Sequence, residues 1–120
     1  MSSGDLLGPS AELYTSWERQ DGVGVLTLSG RFAAESVPEF TARARLAIDS
    51  GQALVVADLI DLEEVSAAGA GALIELVQEL YGAGKTVSVL QPREATGFRF
   101  VAEALRLLET PLLSLNDLEA

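Results

Sequence analysis

The fold is decided by residues 53–73, which read ALVVADLIDLEEVSAAGAGAL. Residues 53–57 form an apolar run without alternation that ends at Asp58, and this pattern indicates a strand covered on both faces. Within this strand, Leu54 and Val56 are expected to lie under helices. A strand of this kind belongs to a parallel or mixed sheet, and we expect it to be the central one.

A helix follows this strand, after a loop rich in acids. Ser66 is a preferred N-cap residue and opens the helix, which is predicted to end at the Gly-Ala-Gly sequence of residues 82–84. The predicted buried stripe consists of Leu73, Ile74, Val77, Leu80 and Tyr81. A strand followed by an amphipathic helix is the unit from which α/β folds are built.

The chain before residue 53 predicts a hairpin and a helix. Runs at residues 13–18 and 23–28 flank the turn signal Asp21-Gly22, a pattern typical of two antiparallel strands. Ser36 and Glu39 have the spacing of a capping box, which predicts a helix over residues 37–49.

The chain after residue 84 predicts further elements of the same kinds. Residues 86–90 read as a strand, and a short strand is expected around residues 112–114. Between these two strands, a third helix is marked by Phe98, Val101, Leu105 and Leu108. Asn116 is expected to cap a terminal helical stub.

These elements predict one α/β domain over residues 12–120, preceded by a flexible tail at residues 1–11. The predicted order is β-β-α-β-α-β-α-β, which gives a mixed sheet with an N-terminal hairpin and about three to four helices.

Charge and apolar run length exclude several kinds of partner. Eight Lys and Arg against eighteen Asp and Glu give a net charge of −10, which repels nucleic acid and acidic membrane surfaces. The longest run of apolar residues and glycine, residues 67–74, is far shorter than the roughly twenty residues of a membrane-spanning helix. The N-terminus does not read as a secretory signal, so we expect a soluble cytoplasmic protein.

The absence of cysteine and histidine excludes most catalytic chemistry. The chain has no thiolate nucleophile, no imidazole base and no Cys or His ligands for zinc. We therefore expect no enzyme activity and no cofactor.

Two glycine motifs are weak matches to nucleotide-binding sequences. The triplet Gly84-Lys85-Thr86 resembles the end of a phosphate loop, but position 79 is Glu and the predicted order is helix to strand. A helix C-cap and turn is the favoured interpretation. The triplet Gly69-Ala70-Gly71 lacks the third glycine of a dinucleotide fingerprint, whose position is taken by Ile74.

Two further features allow a structural and a functional interpretation. The first feature is a group of four carboxylates, at Asp58, Asp61, Glu63 and Glu64. They could hold Mg²⁺, but a solvated acidic loop is the favoured interpretation. Residues 67–72 are all alanine or glycine, so no long side chain projects from the start of the second helix. This start is either a docking surface for a partner or a site of tight internal packing.

Taken in combination, these motifs resemble the STAS domain of bacterial anti-sigma factor antagonists. Gly30 follows the second strand, and the central strand ends in Asp58-Leu59. Val65 then precedes a helix start rich in small residues, and Gly84-Lys85 separates that helix from the next strand. The resemblance extends over about residues 12–120.

The resemblance implies binding to an anti-sigma factor that is also a serine kinase of the histidine-kinase-like ATPase fold. It implies partner contacts at the start of the second helix and near the second-strand glycine, namely at Arg31, Ser66, Ala67, Ala68, Gly69, Ala70 and Gly71. In the family, phosphorylation of a serine at the helix start ends the binding. That serine falls on Ala67 and the preceding Asp falls on Ser66, while a common acidic position falls on Ala33. The usual acceptor is therefore missing, and Ser66 is the possible substitute.

Two other functions fit the same resemblance. One is a structural STAS subunit of an ATPase-driven lipid-transport complex. The other is a module that senses a small ligand or a nucleotide. The identity of the bound partner would distinguish the three functions.

Overall fold

The structure is a computed structural model, and it describes residues 12–114. Within these residues, six strands and three α-helices follow one another. In order, they are β1 (Leu13–Gln20), β2 (Val23–Phe32), α1 (Val37–Ile48), β3 (Leu54–Asp58), β4 (Leu62–Val65), α2 (Ala67–Gly82), β5 (Thr86–Leu90), α3 (Phe98–Leu107) and β6 (Leu112–Leu113). The predicted α/β class and element order are confirmed, with β4 as an additional strand. The expected N-terminal tail and the stub at Asn116 lie outside the described residues.

The N-terminal hairpin forms as predicted. β1 and β2 pair antiparallel from Leu13 opposite Gly30 to Gln20 opposite Val23. Asp21 and Gly22 connect the strands with φ angles of 50° and 83°. Two consecutive positive φ angles are the signature of the type I′ turn that suits the twist of a two-residue hairpin.

The sheet has the strand order β1-β2-β3-β5-β6, and all pairs after the hairpin are parallel. From β2 onward, each helical connection moves one strand further in the same direction. Because such crossovers are right-handed, α1, α2 and α3 lie on the same face of the sheet. The opposite face is covered by none of these three helices.

The prediction that both faces of β3 are covered is wrong. Val55 and Ala57 are buried in the core, whereas Leu54 and Val56 are only half-buried. The same alternation occurs in β5, where Val87 is buried. The apolar run therefore belongs to a sheet with one helical face, and Leu54 and Val56 lie on the other face.

The acidic segment after β3 is a strand rather than the predicted loop. β4 pairs in parallel with the end of β2, from Gly30 opposite Leu62 to Phe32 opposite Val65. The register shifts between Gly30 and Arg31, so β4 joins the sheet off the main strand path. Leu62 and Val65 are buried, while the two glutamates between them are exposed.

The predicted helices form, with two corrections. Ser36 precedes α1, but its side chain makes no capping hydrogen bond, because residues 34–36 form a 3₁₀ turn that runs into the helix. In α2, Leu76 belongs to the buried stripe, whereas Ile74 and Tyr81 are only partly buried. Within residues 12–114, no helix is both long enough and apolar enough to cross a membrane.

Candidate partner-docking site

The start of α2 is held in place by backbone hydrogen bonds from two directions. The Ser66 amide donates to the Phe32 carbonyl at 2.9 Å, which ties the helix start to the end of β2. On the other side, the Val65 amide donates to the Thr96 carbonyl at 2.8 Å, and the Thr96 amide donates to the Glu63 carbonyl at 3.1 Å. These hydrogen bonds fix the start of α2 between β2 and the segment that leads into α3.

The segment before α3 approaches β4 so closely that only glycine fits at position 97. Gly97 has a φ of 87°, and a Cβ atom placed there would lie 2.1 Å from the Val65 carbonyl oxygen. Since Gly97 immediately precedes α3, this contact brings the first turn of α3 beside the first turn of α2.

Ser66 is the N-cap of α2, which confirms the capping role predicted for it. Its backbone is extended, and its side-chain hydroxyl oxygen accepts a hydrogen bond from the Gly69 amide at 3.0 Å. This bond satisfies one of the amides that a helix start leaves without an intrahelical partner.

Gly69 and Ala70 face the interior of the molecule. A Cβ atom on Gly69 would lie 2.7 Å from the Phe32 carbonyl oxygen and 2.9 Å from its ring. Ala70 is 2% exposed. Small size is needed at these two positions for packing inside the chain, so neither offers surface to a partner.

Ala67, Ala68 and Gly71 face outward. All three residues are exposed, and a Cβ atom on Gly71 would meet nothing within 4 Å. They form a low surface on the outer side of the helix start, which we call the α2 platform. The sequence left docking and internal packing open for this segment, and the structure shows that its residues divide between the two sides of the helix.

Arg31 lies near the end of β2, next to the residue that holds the start of α2. It precedes Phe32, whose carbonyl oxygen holds the Ser66 amide. Its guanidinium is 3.6 Å from the Glu64 carboxylate, and about half of each side chain is exposed. Because neighbouring strand residues point to opposite faces and Phe32 is buried under the helices, the Arg31 side chain points to the other face of the sheet, where its ion pair with Glu64 orients it.

Phe100 is a surface residue that the sequence reasoning missed. Its side chain is 65% exposed and borders an open cleft of about 300 Å³ between the starts of α2 and α3. The other residues that line the cleft are Val65, Ser66, Ala67, Ala70 and Gly97. The signal was present, because Phe98 and Phe100 are two residues apart in a helix and cannot both face the core.

The two glycine motifs have structural roles. Lys85 donates hydrogen bonds to the carbonyls of Ser50 and Gln52 at 2.7 and 2.8 Å, which fixes the loop after α1. The space beside Gly69, where a phosphate could approach in a nucleotide-binding loop, is filled by Phe32. Neither motif presents a phosphate cradle.

The four acids of the central segment are dispersed. The Asp58 carboxylate accepts from the Ile60 amide at 3.1 Å, while Asp61 pairs with Arg93 and Glu64 pairs with Arg31. Between residues 12 and 114, no group of three or more acidic, histidine or cysteine side chains is arranged to hold a metal ion.

The element order and the sheet topology are those of a small α/β domain of the STAS type. A family model described as "Mlab, STAS domain" matches residues 15–110. This match covers most of the chain, and the chain belongs to the STAS domain family. No curated protein sequence matches the chain.

Solved structures of anti-sigma factor antagonists share the fold. One from Mycobacterium paratuberculosis has a TM-score of 0.73 and 21% identity, over 88% of this chain and 90% of its own. The Bacillus cell fate determinant SpoIIAA in its phosphorylated form has a TM-score of 0.64 and 16% identity, over 88% and 95%. The antagonist STAS domain from Rhodobacter sphaeroides has a TM-score of 0.55 and 17% identity, over 77% and 94%. The likeness predicted from the sequence is confirmed at the level of the fold.

Proposed function

We propose that this protein is an anti-sigma factor antagonist, a regulatory binding protein that carries out no reaction itself. Its partner is an anti-sigma factor that is also a serine kinase of the histidine-kinase-like ATPase fold. Binding sequesters the anti-sigma factor and frees the sigma factor to join RNA polymerase. Because the freed sigma factor joins RNA polymerase in the cytoplasm, the protein acts there as well.

The observation that carries this proposal is the α2 platform. Ala67, Ala68 and Gly71 leave a low, exposed surface to which the backbone of a partner can come close. Ser66, which precedes this surface, is fixed by two hydrogen bonds. Its amide donates to the Phe32 carbonyl of β2, and its hydroxyl oxygen accepts from the Gly69 amide of α2. A surface that does not have to become ordered on binding loses little conformational entropy in the complex.

The proposal includes the loss of the phosphorylation switch at the usual position. Ala67 has no oxygen that could accept a phosphate. Ser66 has a hydroxyl, but the oxygen of that hydroxyl already accepts the capping bond from Gly69. The protein therefore binds its partner constitutively.

The charge of two surface depressions argues against a nucleotide sensor. A depression of about 520 Å³ at the carboxyl end of the sheet is lined by Arg93 but also by Asp61, Glu63 and Glu94. A second depression is lined by Glu12, Glu35 and Glu39. Carboxylates in excess of cations repel a polyphosphate.

The test is affinity capture with Ala68→Arg and a matched control, Gln78→Arg. Both positions are exposed on α2, but Gln78 lies about ten residues beyond Ala68, or roughly 15 Å at the helical rise of ~1.5 Å per residue. Wild type and Gln78→Arg are expected to enrich a kinase-fold anti-sigma factor from a lysate of the source cells, as identified by mass spectrometry. Ala68→Arg should lose this partner while its stability changes by less than about 0.5 kcal/mol.

Three results would contradict the proposal. One is equal enrichment of the anti-sigma factor by Ala68→Arg, which would remove the partner from the α2 platform. Another is enrichment of a transporter ATPase in place of the anti-sigma factor, which would make the chain a subunit of a transport complex. The third is a ligand-dependent rise in melting temperature with no protein enriched, which would indicate a sensor.

A further inference from the structure

The outward face of α3 carries an apolar pair that nothing in the described part of the chain covers. Leu107 is 86% exposed and Phe100 is 65% exposed. They are seven residues apart, or about two helical turns, and therefore lie on the same face. Residues of the opposite face, such as Val101 and Leu105, are buried against the core. We call the outward pair the α3 stripe.

The charges beside the α3 stripe complement one another. Arg99, Glu103 and Arg106 lie along one flank of α3 at helical spacing. Arg99 and Glu103 are 3.9 Å apart, and their side chains are 93% and 62% exposed. Arg106 has no ion-pair partner within the described residues. These three side chains together carry a net charge of +1, in a chain whose net charge is −10.

We propose that the α3 stripe binds a second copy of this chain, with the two α3 helices antiparallel across a two-fold axis. In that arrangement, Phe100 of each copy packs against Leu107 of the other. The two-fold axis places the charged flanks on the same side of the pair. Measured along the helix axes, the Cα atom of Glu103 is then offset by about 3 Å from the Cα atom of Arg106 of the second copy, at a rise of ~1.5 Å per residue.

This arrangement accounts for both features of the face. The same four residues of each copy, Phe100, Glu103, Arg106 and Leu107, give two apolar contacts and two ion pairs related by the two-fold axis. A self-complementary surface of this kind is what a two-fold dimer requires. The net charge of +1 on this flank also reduces the repulsion between two acidic chains that meet there. Because a single helix pair buries less than a standard interface, the dimer is weak and depends on concentration.

The exposed face of α1 provides a comparison. Leu46 is 48% exposed, but the position seven residues before it on the same face is Glu39, which is also exposed. An antiparallel pair of α1 helices would therefore place a carboxylate against Leu46. Leu46→Glu is the matched control for Leu107→Glu.

Sedimentation equilibrium of the full chain at micromolar to submillimolar concentration tests the dimer. The average mass of wild type should rise from the monomer value of 12.6 kDa towards twice that value. Leu107→Glu should weaken association at least about tenfold, and Leu46→Glu should associate as wild type does. Glu103→Arg should also weaken it, and the double variant Glu103→Arg with Arg106→Glu should restore it.

Circular dichroism checks that each variant is folded, which is expected because none of the substituted residues belongs to the buried core. Wild type that stays monomeric at every concentration would overturn the proposal and leave the stripe to a different partner. Unchanged association of Leu107→Glu would overturn it as well. Loss of association in Leu46→Glu alone would move the interface to α1.

Discussion

The two sides of the first turns of α2 have the same kinds of residue and opposite surroundings. On the inner side, Gly69 and Ala70 pack against the end of β2, and Phe32 leaves no room for a Cβ atom at Gly69. On the outer side, Ala68 and Gly71 face open space. A glycine is thus needed for packing at position 69, whereas the packing makes no such demand at position 71.

The residues on the inner side are needed for the fold, whereas those on the outer side are free to contact a partner. Phe32 is buried under α2 and packs against Phe40 of α1, with ring centroids 4.7 Å apart. A side chain at position 69 would disturb this aromatic pair and the hydrogen bond that positions Ser66. A side chain at position 71 would change only the outer surface. Substitutions on the two sides can therefore test stability and binding separately.

The largest effect on stability is expected for Gly69→Ala. Its new Cβ atom would lie 2.7 Å from the Phe32 carbonyl oxygen, which is backbone and cannot rotate away. We expect a loss of roughly 1–3 kcal/mol in the free energy of unfolding, the typical cost of overpacking. Urea denaturation followed by circular dichroism measures it. A variant as stable as wild type would show that the inner side tolerates a Cβ atom.

A smaller loss is expected for Ser66→Ala, with Ser36→Ala as its control. The Ser66 hydroxyl oxygen accepts the capping bond from Gly69, whereas the Ser36 side chain makes no capping bond. Removing the cap should cost about 1 kcal/mol, and the control should change stability by less than about 0.5 kcal/mol. Equal losses in both variants, measured in the same denaturation experiment, would contradict the assignment of the cap.

Gly71→Ala should raise the free energy of unfolding, whereas the two preceding substitutions lower it. Position 71 is helical and exposed, with nothing within 4 Å of the new Cβ atom. Alanine is favoured over glycine in a helix by up to about 1 kcal/mol, so the variant should be more stable than wild type by an amount up to that size. A destabilised variant in denaturation would mean that the outer side is packed against part of the chain.

The fold was largely predictable because its elements are local. The turn at Asp21-Gly22 and the helical spacing of Phe98, Val101 and Leu105 are visible in short windows of sequence. The covered face of β3 was not predictable, since an apolar run gives no sign of which alternate residues face the helices. β4 was missed because it has only four residues and its pairing with β2 depends on a register shift.

The site was predictable as a segment but not as a surface. Six consecutive small residues marked the start of α2, yet only three-dimensional packing shows that Phe32 fills the space beside Gly69. The spacing of Ser36 and Glu39 has the form of a capping box, but a 3₁₀ turn places Ser36 in a helical conformation where it does not cap. The first feature depends on a tertiary contact and the second on the backbone conformation of the preceding turn, and the pattern of residue types contains neither.

The smallest expected effect is no change in mass when the protein is incubated with ATP and its purified anti-sigma partner. Wild type and Ser66→Ala should both keep their intact mass by mass spectrometry. The Ser66 hydroxyl is half-buried and its oxygen accepts a hydrogen bond from the Gly69 amide, so a kinase reaches it less easily than an exposed hydroxyl. A phosphate there would also bring about −1.5 to −2 charges close to Glu63 and Glu64.

The control for that result is Ala67→Ser, which places a hydroxyl on the exposed outer side where the resemblance locates the family's phosphorylated serine. This variant should gain one phosphate, which shows that the kinase is active and that only the acceptor is missing from wild type. A phosphate on wild type that Ser66→Ala loses would make Ser66 the switch and end the proposal of constitutive binding. If Ala67→Ser also stays unmodified, the partner is not a kinase for this position, because the hydroxyl would then be present and exposed without being used.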